Sequence, residues 1–241
     1  MGMAFDRNRL LATFNDEVRE QIEPLARIVD YERGASVLSA GKAVNHSIFP
    51  FDSLIISMLV ELHGGRSVEV ASIGKEGAVG GIVSCGHAPA YSHAEVQIAG
   101  PALVIPLDAL ETVKQSSPFL RNLFCRYADY LLAQVMQSVA CNAFHSIDAR
   151  AARWLLTAQD RIGGDRLELT QESLAGLLGV QRTTVNAVAR QLQERGLISY
   201  RRGAVLILDR AGLERQACEC YDAVEDHFGS VIGISGVGRK A

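Results

Sequence analysis

The chain has 241 residues, of which 48% are hydrophobic, and a formal net charge of −3 at pH 7. This length allows two packed domains, and no apolar run reaches the roughly 18 residues that a membrane helix needs. The first residues, MGMAFDRNRLLATF, lack the apolar core of a signal peptide, and five irregularly spaced cysteines do not indicate a disulfide framework. We therefore expect a globular, cytoplasmic protein with no membrane partner.

The N-terminal half changes its pattern once. Residues 5–30 carry apolar side chains at near-helical spacing, which predicts a helical segment bent at Pro24. From residue 31 to about 106 the chain consists of short apolar runs separated by turns, and Gly64-Gly65 stands between two of them. This pattern predicts short strands in an antiparallel β-roll, with a hairpin at the glycine pair. We assign residues 1–116 to a β-roll domain with an N-terminal helix.

Residues 117–145 predict one long helix, because apolar side chains recur there at three- and four-residue spacing. The apolar positions cover more than one side of this helix. Such a helix packs against its own domain and also against another partner, so we interpret it as a connector and dimerisation helix. A single-sided helix in a monomer is the alternative. The predicted dimerisation stripe consists of Phe124, Ala128, Leu131, Val135 and Val139, and Leu132 and Met136 widen it.

Residues 146–228 predict the order helix, helix, helix and β-hairpin, which is that of a winged helix-turn-helix. The first helix, IDARAARWLLTAQDRIG, ends at Gly163-Gly164, and the two strands of the wing flank Arg202-Gly203. A last helix is predicted from about residue 211 to 228. We expect the glycine-rich residues 229–241 to form a frayed tail.

The stretch LTQESLAGLLGVQRTTVNAVARQLQERG predicts two helices joined by a tight corner at Gly179, and the Thr170 hydroxyl can cap the first of them. The outward positions of the second helix are hydrogen-bond donors and acceptors rather than the Glu and Lys of an ordinary solvated face. Such a face is expected of a helix in the major groove of DNA. The charge distribution is consistent with DNA binding. Residues 146–216 hold 11 Arg and no Lys against 8 Asp plus Glu, which gives this region a net charge of +3 and the rest of the chain a net charge of −6.

Three motifs lie within residues 170–203: a Thr that opens the first helix, Gly-x-x-Arg at 179–182 and Leu-x-x-x-Gly-Leu-Ile at 192–198. In these motifs the sequence resembles the Crp/Fnr family of bacterial transcription regulators. The order β-roll, long helix and winged helix-turn-helix is similar over nearly the whole chain. The resemblance implies a homodimer that binds a near-palindromic operator in double-stranded DNA, with RNA polymerase as a further partner and no enzymatic activity.

The resemblance also implies roles for single residues. Arg182 takes the place of the family arginine that reads guanine through a bidentate contact. Thr183 and Ala187 stand where the best-known members hold Glu and a second Arg, so the half-site should differ from theirs. Phosphate or backbone contacts are implied for Thr170, Gln181, Thr184, Arg190, Arg201 and Arg202, and further base contacts for Gln181 and Asn186. The predicted DNA-contacting set is Thr170, Gln171, Gln181, Arg182, Thr183, Thr184, Asn186, Arg190, Arg201 and Arg202.

The segments RSVEVASIGKEGAVG and HSIDARAARWLL are similar to those of a subgroup whose sensory domain keeps the cyclic-nucleotide-binding shape without an evident nucleotide site. Nucleotide-binding members hold the ribose with a Gly-Glu loop and the cyclic phosphate with an Arg-Ser pair. Here the corresponding segments are Gly77-Ala78 and Ser92-His93-Ala94, so both the carboxylate and the guanidinium are missing. We expect no tight binding of cyclic AMP or cyclic GMP, and the effector stays unidentified. The alternative is a small-ligand or redox sensor in which DNA binding is secondary.

The cysteines indicate little other chemistry. The iron-sulfur members of the family carry an N-terminal cysteine cluster, whereas the first cysteine here is Cys85. Cys218 and Cys220 lie near His227 but would point about 200° apart on a regular helix, so they could not chelate one ion. We interpret these two cysteines as packing residues, with a metal or redox role as the alternative, and expect Cys125 and Cys141 on the long helix to be small core or interface residues.

An enzymatic function has no support in the sequence. Ser84, His87 and Ser92 share one loop, but no carboxylate partner is evident for them. The chain contains neither a glycine-rich loop that would cradle phosphates nor a zinc-binding spacing. We therefore predict no catalytic site, no cofactor and no metal.

Overall fold

The computed structural model describes residues 2–64, 66–82 and 88–233. Cys85, Ser84 and His87 lie outside the described residues, as do Gly65 and the end of the predicted tail. In the described part of the chain, no helix is both long enough and apolar enough to cross a membrane.

The N-terminal segment is broken into short helices, and the prediction of one helical segment over residues 5–30 is wrong. Asn8 and Asn15 each cap a new helix, because their side-chain oxygens accept hydrogen bonds from the amides of Leu10, Leu11 and Val18. Past Pro24 the chain becomes extended and forms a strand. The helices are α1 (Gly2–Phe5), α2 (Arg9–Ala12) and α3 (Asp16–Ile22), followed by a 3₁₀ turn at Glu23–Leu25.

Two antiparallel sheets form the predicted β-roll. One has the strand order β1-β7-β3 and the other has the order β2-β6-β4-β5. The predicted hairpin joins β4 to β5, with Leu62 opposite Arg66. The strands are β1 (Arg27–Tyr31), β2 (Ser36–Leu38), β3 (His46–Pro50), β4 (Ile55–Leu62), β5 (Arg66–Ile73), β6 (His93–Ile98) and β7 (Gly100–Pro106).

After the roll come α4 (Leu107–Ser116) and the long α5 (Pro118–Phe144). The hydroxyl of Tyr127 on α5 accepts a hydrogen bond from the Ala78 amide (2.8 Å) and donates one to the Ala78 carbonyl (3.0 Å). This approach needs a glycine at position 77, because a Cβ there would lie 2.1 Å from the Tyr127 oxygen. The helix is thereby fixed against the roll.

The C-terminal region has the predicted winged helix-turn-helix order with one addition, a short strand that makes the wing three-stranded in the order β8-β10-β9. This architecture, a β-roll, a long helix and a winged helix-turn-helix, confirms the predicted α+β fold. The elements are α6 (Ile147–Ile162), β8 (Arg166–Leu167), α7 (Gln171–Leu178), α8 (Arg182–Glu194), β9 (Ile198–Arg201), β10 (Ala204–Ile207), α9 (Arg210–Gln216) and α10 (Cys220–Ile232).

The single last helix predicted for residues 211–228 is wrong, because the chain is extended at Ala217 and divides the region into α9 and α10. The helix α10 also runs past the predicted start of the tail at residue 229. Its apolar side chains explain the extension, since Phe228 and Ile232 are buried in the same core as α5, with the Phe228 ring 4.9 Å from that of Tyr130.

A buried ion pair joins α6 to the roll. Arg161 Nη2 lies 2.7 Å from Glu76 Oε1, and the two side chains are 9% and 5% exposed. Arg161 also donates hydrogen bonds to the hydroxyl and the carbonyl of Ser72, at 2.6 and 2.7 Å. Nearby, the indole of Trp154 donates to Glu69 at 3.0 Å. The C-terminal region is thus packed on the roll through polar groups that are largely shielded from water.

Candidate nucleic-acid interface

The corner between α7 and α8 is fixed at both ends of α7. The Thr170 hydroxyl accepts a hydrogen bond from the Ser173 amide at 3.1 Å and caps the helix as predicted. The helix ends at Gly179, which has a left-handed φ of +65°, and the Val180 amide returns to the Ala175 carbonyl at 3.0 Å. Glycine suits this position because other residues rarely adopt that conformation.

The helix α8 has two distinct faces. Its apolar side chains are buried in the C-terminal core together with those of α6 and α7: Val185, Val188, Ala189 and Leu192. The opposite face is exposed and polar: Gln181, Arg182, Thr183, Thr184, Asn186 and Arg190. We call this second set the outer face of α8. The sequence predicted both faces from the 3.6-residue period, and Gln181 is the residue before the helix rather than its first turn.

Arg182 and Arg190 are accessible from solvent. The Arg182 side chain is 63% exposed, and its Nε lies 3.9 Å from a carboxylate oxygen of Glu172, which is more exposed still. Arg190 pairs with Glu194 at 2.8 Å, also in solvent. Exposed pairs of this kind contribute little to stability, so both guanidinium groups can exchange their partner for another anion at little cost.

The wing reaches the same surface as the N-terminus of α7. Its turn contains Arg202, whose φ of +51° is unusual for a residue with a side chain, followed by Gly203. Arg202 lines one groove together with Thr170, Gln171 and Arg182. The turn therefore brings four of the predicted DNA-contacting residues together, while Asn186 and Arg190 lie one and two turns further along α8.

Arg33 is a neighbour of this surface that sequence reasoning missed. It lies in the turn between β1 and β2, and its Nη2 donates to the hydroxyls of Thr170 (3.2 Å) and Ser173 (2.9 Å). No sequence signal could have placed a residue 137 positions away at the start of α7. Burial raises the pKa of the nearby Tyr200 to about 12, against the opposing charges of Arg33 and Arg182.

The positions aligned with the nucleotide-binding segments are occupied by internal contacts. Both backbone groups of Ala78 are bonded to the hydroxyl of Tyr127, and the side chain of Ala78 is buried. Ser92 is buried as well, and His93 lies 3.6 Å from a Glu61 carboxylate oxygen.

The predicted dimerisation stripe needs a correction. Phe124 is only 3% exposed and packs against Phe14 inside its own chain, so it is not available to a partner. Val139 is 65% exposed, and Leu132 and Met136 are exposed beside it. The exposed apolar ridge consists of Leu132, Met136 and Val139, so it shares only Val139 with the predicted stripe. Ala128, Leu131 and Val135 are half-buried at its edge.

A second group of reactive side chains lies at the other end of the C-terminal region. Cys141, His145, Cys218 and Cys220 place their ligand atoms within 4.8 Å of one another. Sequence reasoning missed this cluster because it treated Cys218 as part of a regular helix, whereas Cys218 precedes α10. The hydrogen bond from Cys218 lowers the pKa of the Cys141 thiol to about 4. His227, which the sequence placed beside the two cysteines, instead lies 2.9 Å from Asp129.

A winged helix-turn-helix with an exposed polar recognition helix defines a nucleic-acid-binding class of protein, and comparison with known families agrees. Residues 149–216 match the family described as the Crp-like helix-turn-helix domain. The CRP-like cAMP-activated global transcriptional regulator of Mycobacterium tuberculosis is 28% identical over 211 residues, which cover 82% of this chain and 89% of that relative.

Solved structures show the same fold. FixK2 from Bradyrhizobium japonicum is 15% identical with a TM-score of 0.68, over 80% of this chain and 98% of that one. A transcriptional regulator of the CRP family from Thermus thermophilus is 19% identical with a TM-score of 0.65, over 78% and 96% of the two chains. These findings confirm the resemblance to the Crp/Fnr family: residues 149–216 match a Crp-like helix-turn-helix domain, and most of the chain is similar in sequence or in fold to regulators of that type.

Proposed function

We propose that the chain acts as a homodimeric, sequence-specific DNA-binding regulator in which α8 enters the major groove. The observation that carries this proposal is the outer face of α8, which is exposed, polar and continuous with the arginine of the wing. A major groove is wide enough for one helix, and the groups at its base edges are donors and acceptors that match such a face.

Roles within the face follow from chemistry and position. Arg182 is near the N-terminal end of α8, where a recognition helix meets base edges, and its planar donor fork fits the O6 and N7 of guanine. Asn186 lies one turn later and suits adenine. Thr170, Arg190, Arg201 and Arg202 are placed for phosphate contacts, which set the register of the protein on the duplex.

The second copy of the chain is proposed to pack on the exposed ridge of α5. Leu132, Met136 and Val139 are exposed apolar side chains at helical spacing on a single helix face, and a second copy would remove them from water. Two-fold pairing of this kind would present two α8 helices to successive major grooves, about 34 Å apart, on a near-palindromic site. RNA polymerase would then be a partner of the DNA-bound dimer.

We propose further that DNA binding does not depend on a cyclic nucleotide, although the mycobacterial relative is named as cAMP-activated. The support is that Ala78 offers no carboxylate and that its backbone groups are already bonded to Tyr127. The nearest acidic side chain in sequence, Glu76, is paired with Arg161. Calorimetric titration should show no micromolar affinity for cyclic AMP, and tight binding would refute this part of the proposal.

Selection of bound duplexes from a random DNA pool tests the main proposal. The expected result is an enriched near-palindromic motif, bound by a species that light scattering identifies as a dimer. Arg182→Ala should then lose about 1–3 kcal/mol of discrimination at one base pair of each half-site. Arg195→Ala is a matched control. Arg195 is also an exposed arginine, but it follows the last residue of α8, and its guanidinium donates to Gln216 and is not part of the outer face of α8.

The outcomes separate the two functions considered for this chain. Failure to enrich any motif would favour a sensor in which DNA binding is secondary. Equal losses for Arg182→Ala and Arg195→Ala would show that the assignment of the outer face is wrong. A monomer in solution that still binds the selected site with full affinity would refute the ridge on α5 as the contact between copies.

A further inference from the structure

Cys141, His145, Cys218 and Cys220, which we call the Cys/His cluster, come from two distant parts of the chain. Cys141 lies in the last turn of α5, and His145 directly follows the last residue of this helix. Cys218 lies in the break between α9 and α10, and Cys220 begins α10. The three cysteines are buried and form a small core of their own, with Ala149 packed against it.

Two of the distances in the cluster are close to those between the ligands of one tetrahedral metal ion, and all four ligand atoms lie within 4.8 Å of one another. The Sγ atoms of Cys141 and Cys218 are 3.6 Å apart, and Cys220 Sγ is 3.4 Å from His145 Nδ1. Bonds of about 2.3 Å to sulfur and about 2.0 Å to nitrogen at tetrahedral angles separate two sulfurs by about 3.8 Å, and sulfur from nitrogen by about 3.5 Å. The cluster therefore needs only small side-chain movements to hold an ion.

The surrounding side chains orient the ligands. His145 Nε2 is 3.2 Å from a carboxylate oxygen of Glu219, so this nitrogen can donate its proton there and leave Nδ1 for a metal. The Gln137 amide donates to Cys220 Sγ at 2.9 Å. An imidazole held by a carboxylate and a sulfur held by an amide donor are the outer contacts that metal ligands in proteins usually have.

Positive charge beside the cluster favours thiolates. The Nε atoms of Arg150 and Arg153 are buried and, among the described residues, have no hydrogen-bond acceptor. Both guanidinium groups interact electrostatically with the Cys141 sulfur. Three thiolates and a neutral imidazole around a divalent cation carry a net charge of −1, which these two arginines can offset.

We propose that the Cys/His cluster binds one zinc ion through three cysteine thiolates and the Nδ1 of His145. Thiolate and imidazole ligands in a tetrahedral arrangement select zinc over magnesium or calcium, which prefer oxygen ligands. Four protein ligands, three of them buried cysteines, fill the tetrahedral positions and leave no place for a substrate, so the site is structural. Binding displaces the protons of the thiols to solvent and involves no change of oxidation state.

The ion would tie the end of α5 to the start of α10, two segments separated by more than 70 residues. Arg150, beside the cluster, also donates to the Leu178 carbonyl at the end of α7, at 2.6 Å. The site thus lies at the junction of the proposed dimerisation helix with the helix-turn-helix.

Metal content and cobalt spectroscopy of the full chain test the proposal. Protein purified under reducing conditions without a histidine tag should contain one zinc per chain. After removal of zinc, one equivalent of Co²⁺ should restore the absorption of a tetrahedral cobalt-thiolate site. Cys218→Ser and His145→Gln should each lose this absorption. Cys125→Ser should keep it, because Cys125 is an exposed cysteine on α5 outside the Cys/His cluster.

Glu219→Gln keeps the test valid if the ligand variants fail to fold, because it leaves all four ligands in place. It should retain one cobalt per chain but bind zinc about 10- to 100-fold more weakly, since the imidazole loses its carboxylate partner. Full-length protein that takes up no cobalt would overturn the proposal. So would a Cys141–Cys218 disulfide found by mass spectrometry in place of metal, or equal cobalt spectra for Cys218→Ser and Cys125→Ser.

Discussion

The arginines of the C-terminal region fall into two groups with opposite surroundings. One group is exposed. It comprises Arg182 and Arg190 on the outer face of α8, which pair with carboxylates that are themselves exposed, and Arg202 on the wing. Arg150 and Arg161 are buried and bonded to backbone or to a carboxylate. The same side chain therefore serves two purposes, and the net charge of the region overstates the positive field available to DNA.

The buried group contributes to folding rather than to recognition. Burial lowers the pKa of the Arg161 guanidinium, but its neighbours, with the Glu76 carboxylate first among them, together outweigh burial and raise the pKa overall. A charged group in such a place is stabilised only while its partner remains. The exposed group is solvated with or without a partner, so its removal should affect DNA binding and leave stability almost unchanged.

The largest expected effect tests the buried group. Arg161→Met should lower the free energy of unfolding by about 3–5 kcal/mol, because Glu76 is then left as an unpaired buried charge. Urea denaturation followed by circular dichroism measures this loss. A second change, Glu76→Gln, made in the Arg161→Met background should recover part of the stability.

Arg166→Met is the matched control for this change. Arg166 pairs with Glu168 at 2.7 Å on the surface, with both side chains more than half exposed, so the loss should stay within about 0.5 kcal/mol. Similar losses for Arg161→Met and Arg166→Met would show that the division into buried and exposed arginines has no energetic meaning.

Features that depend on neighbouring residues could be predicted from the sequence. The two faces of α8, the cap at Thr170 and the corner at Gly179 follow from spacing over a few residues and lie where the sequence placed them. The same is true of the β4–β5 hairpin. Each of these features is decided by local hydrogen bonds and by the period of the apolar side chains.

Features that depend on tertiary contacts could not be predicted. The burial of Phe124 is decided by Phe14, more than 100 positions away, and Arg33 meets Thr170 across a similar separation. The Cys/His cluster joins residues near 141 to residues near 218, and the break before α10 that brings them together leaves no strong mark in the sequence. Helical periodicity shows that a face is apolar but does not show which part of it the chain itself covers.

A smaller effect is expected at the edge of the recognition surface, where one residue has both a structural and a proposed binding role. Thr170→Val should lower the free energy of unfolding by about 1 kcal/mol, because the Ser173 amide loses its cap. Thr170→Ser keeps the hydroxyl and should remain within about 0.5 kcal/mol of the parent protein in the same denaturation measurement. If Thr170→Val and Thr170→Ser have the same free energy of unfolding, the cap contributes nothing to the stability of α7.

The smallest effect on stability is expected for the exposed arginines, whose removal is measured by DNA affinity and not by unfolding. Arg202→Ala should leave the unfolding midpoint nearly unchanged, because alanine at position 202 has to adopt the same left-handed conformation that arginine adopts there. If Arg202 neutralises one phosphate, the slope of log K against log salt concentration should fall by about 1, equally for selected and random duplexes. A loss confined to the selected duplex would instead make Arg202 a base contact, and the wing would then contribute to sequence recognition together with Arg182.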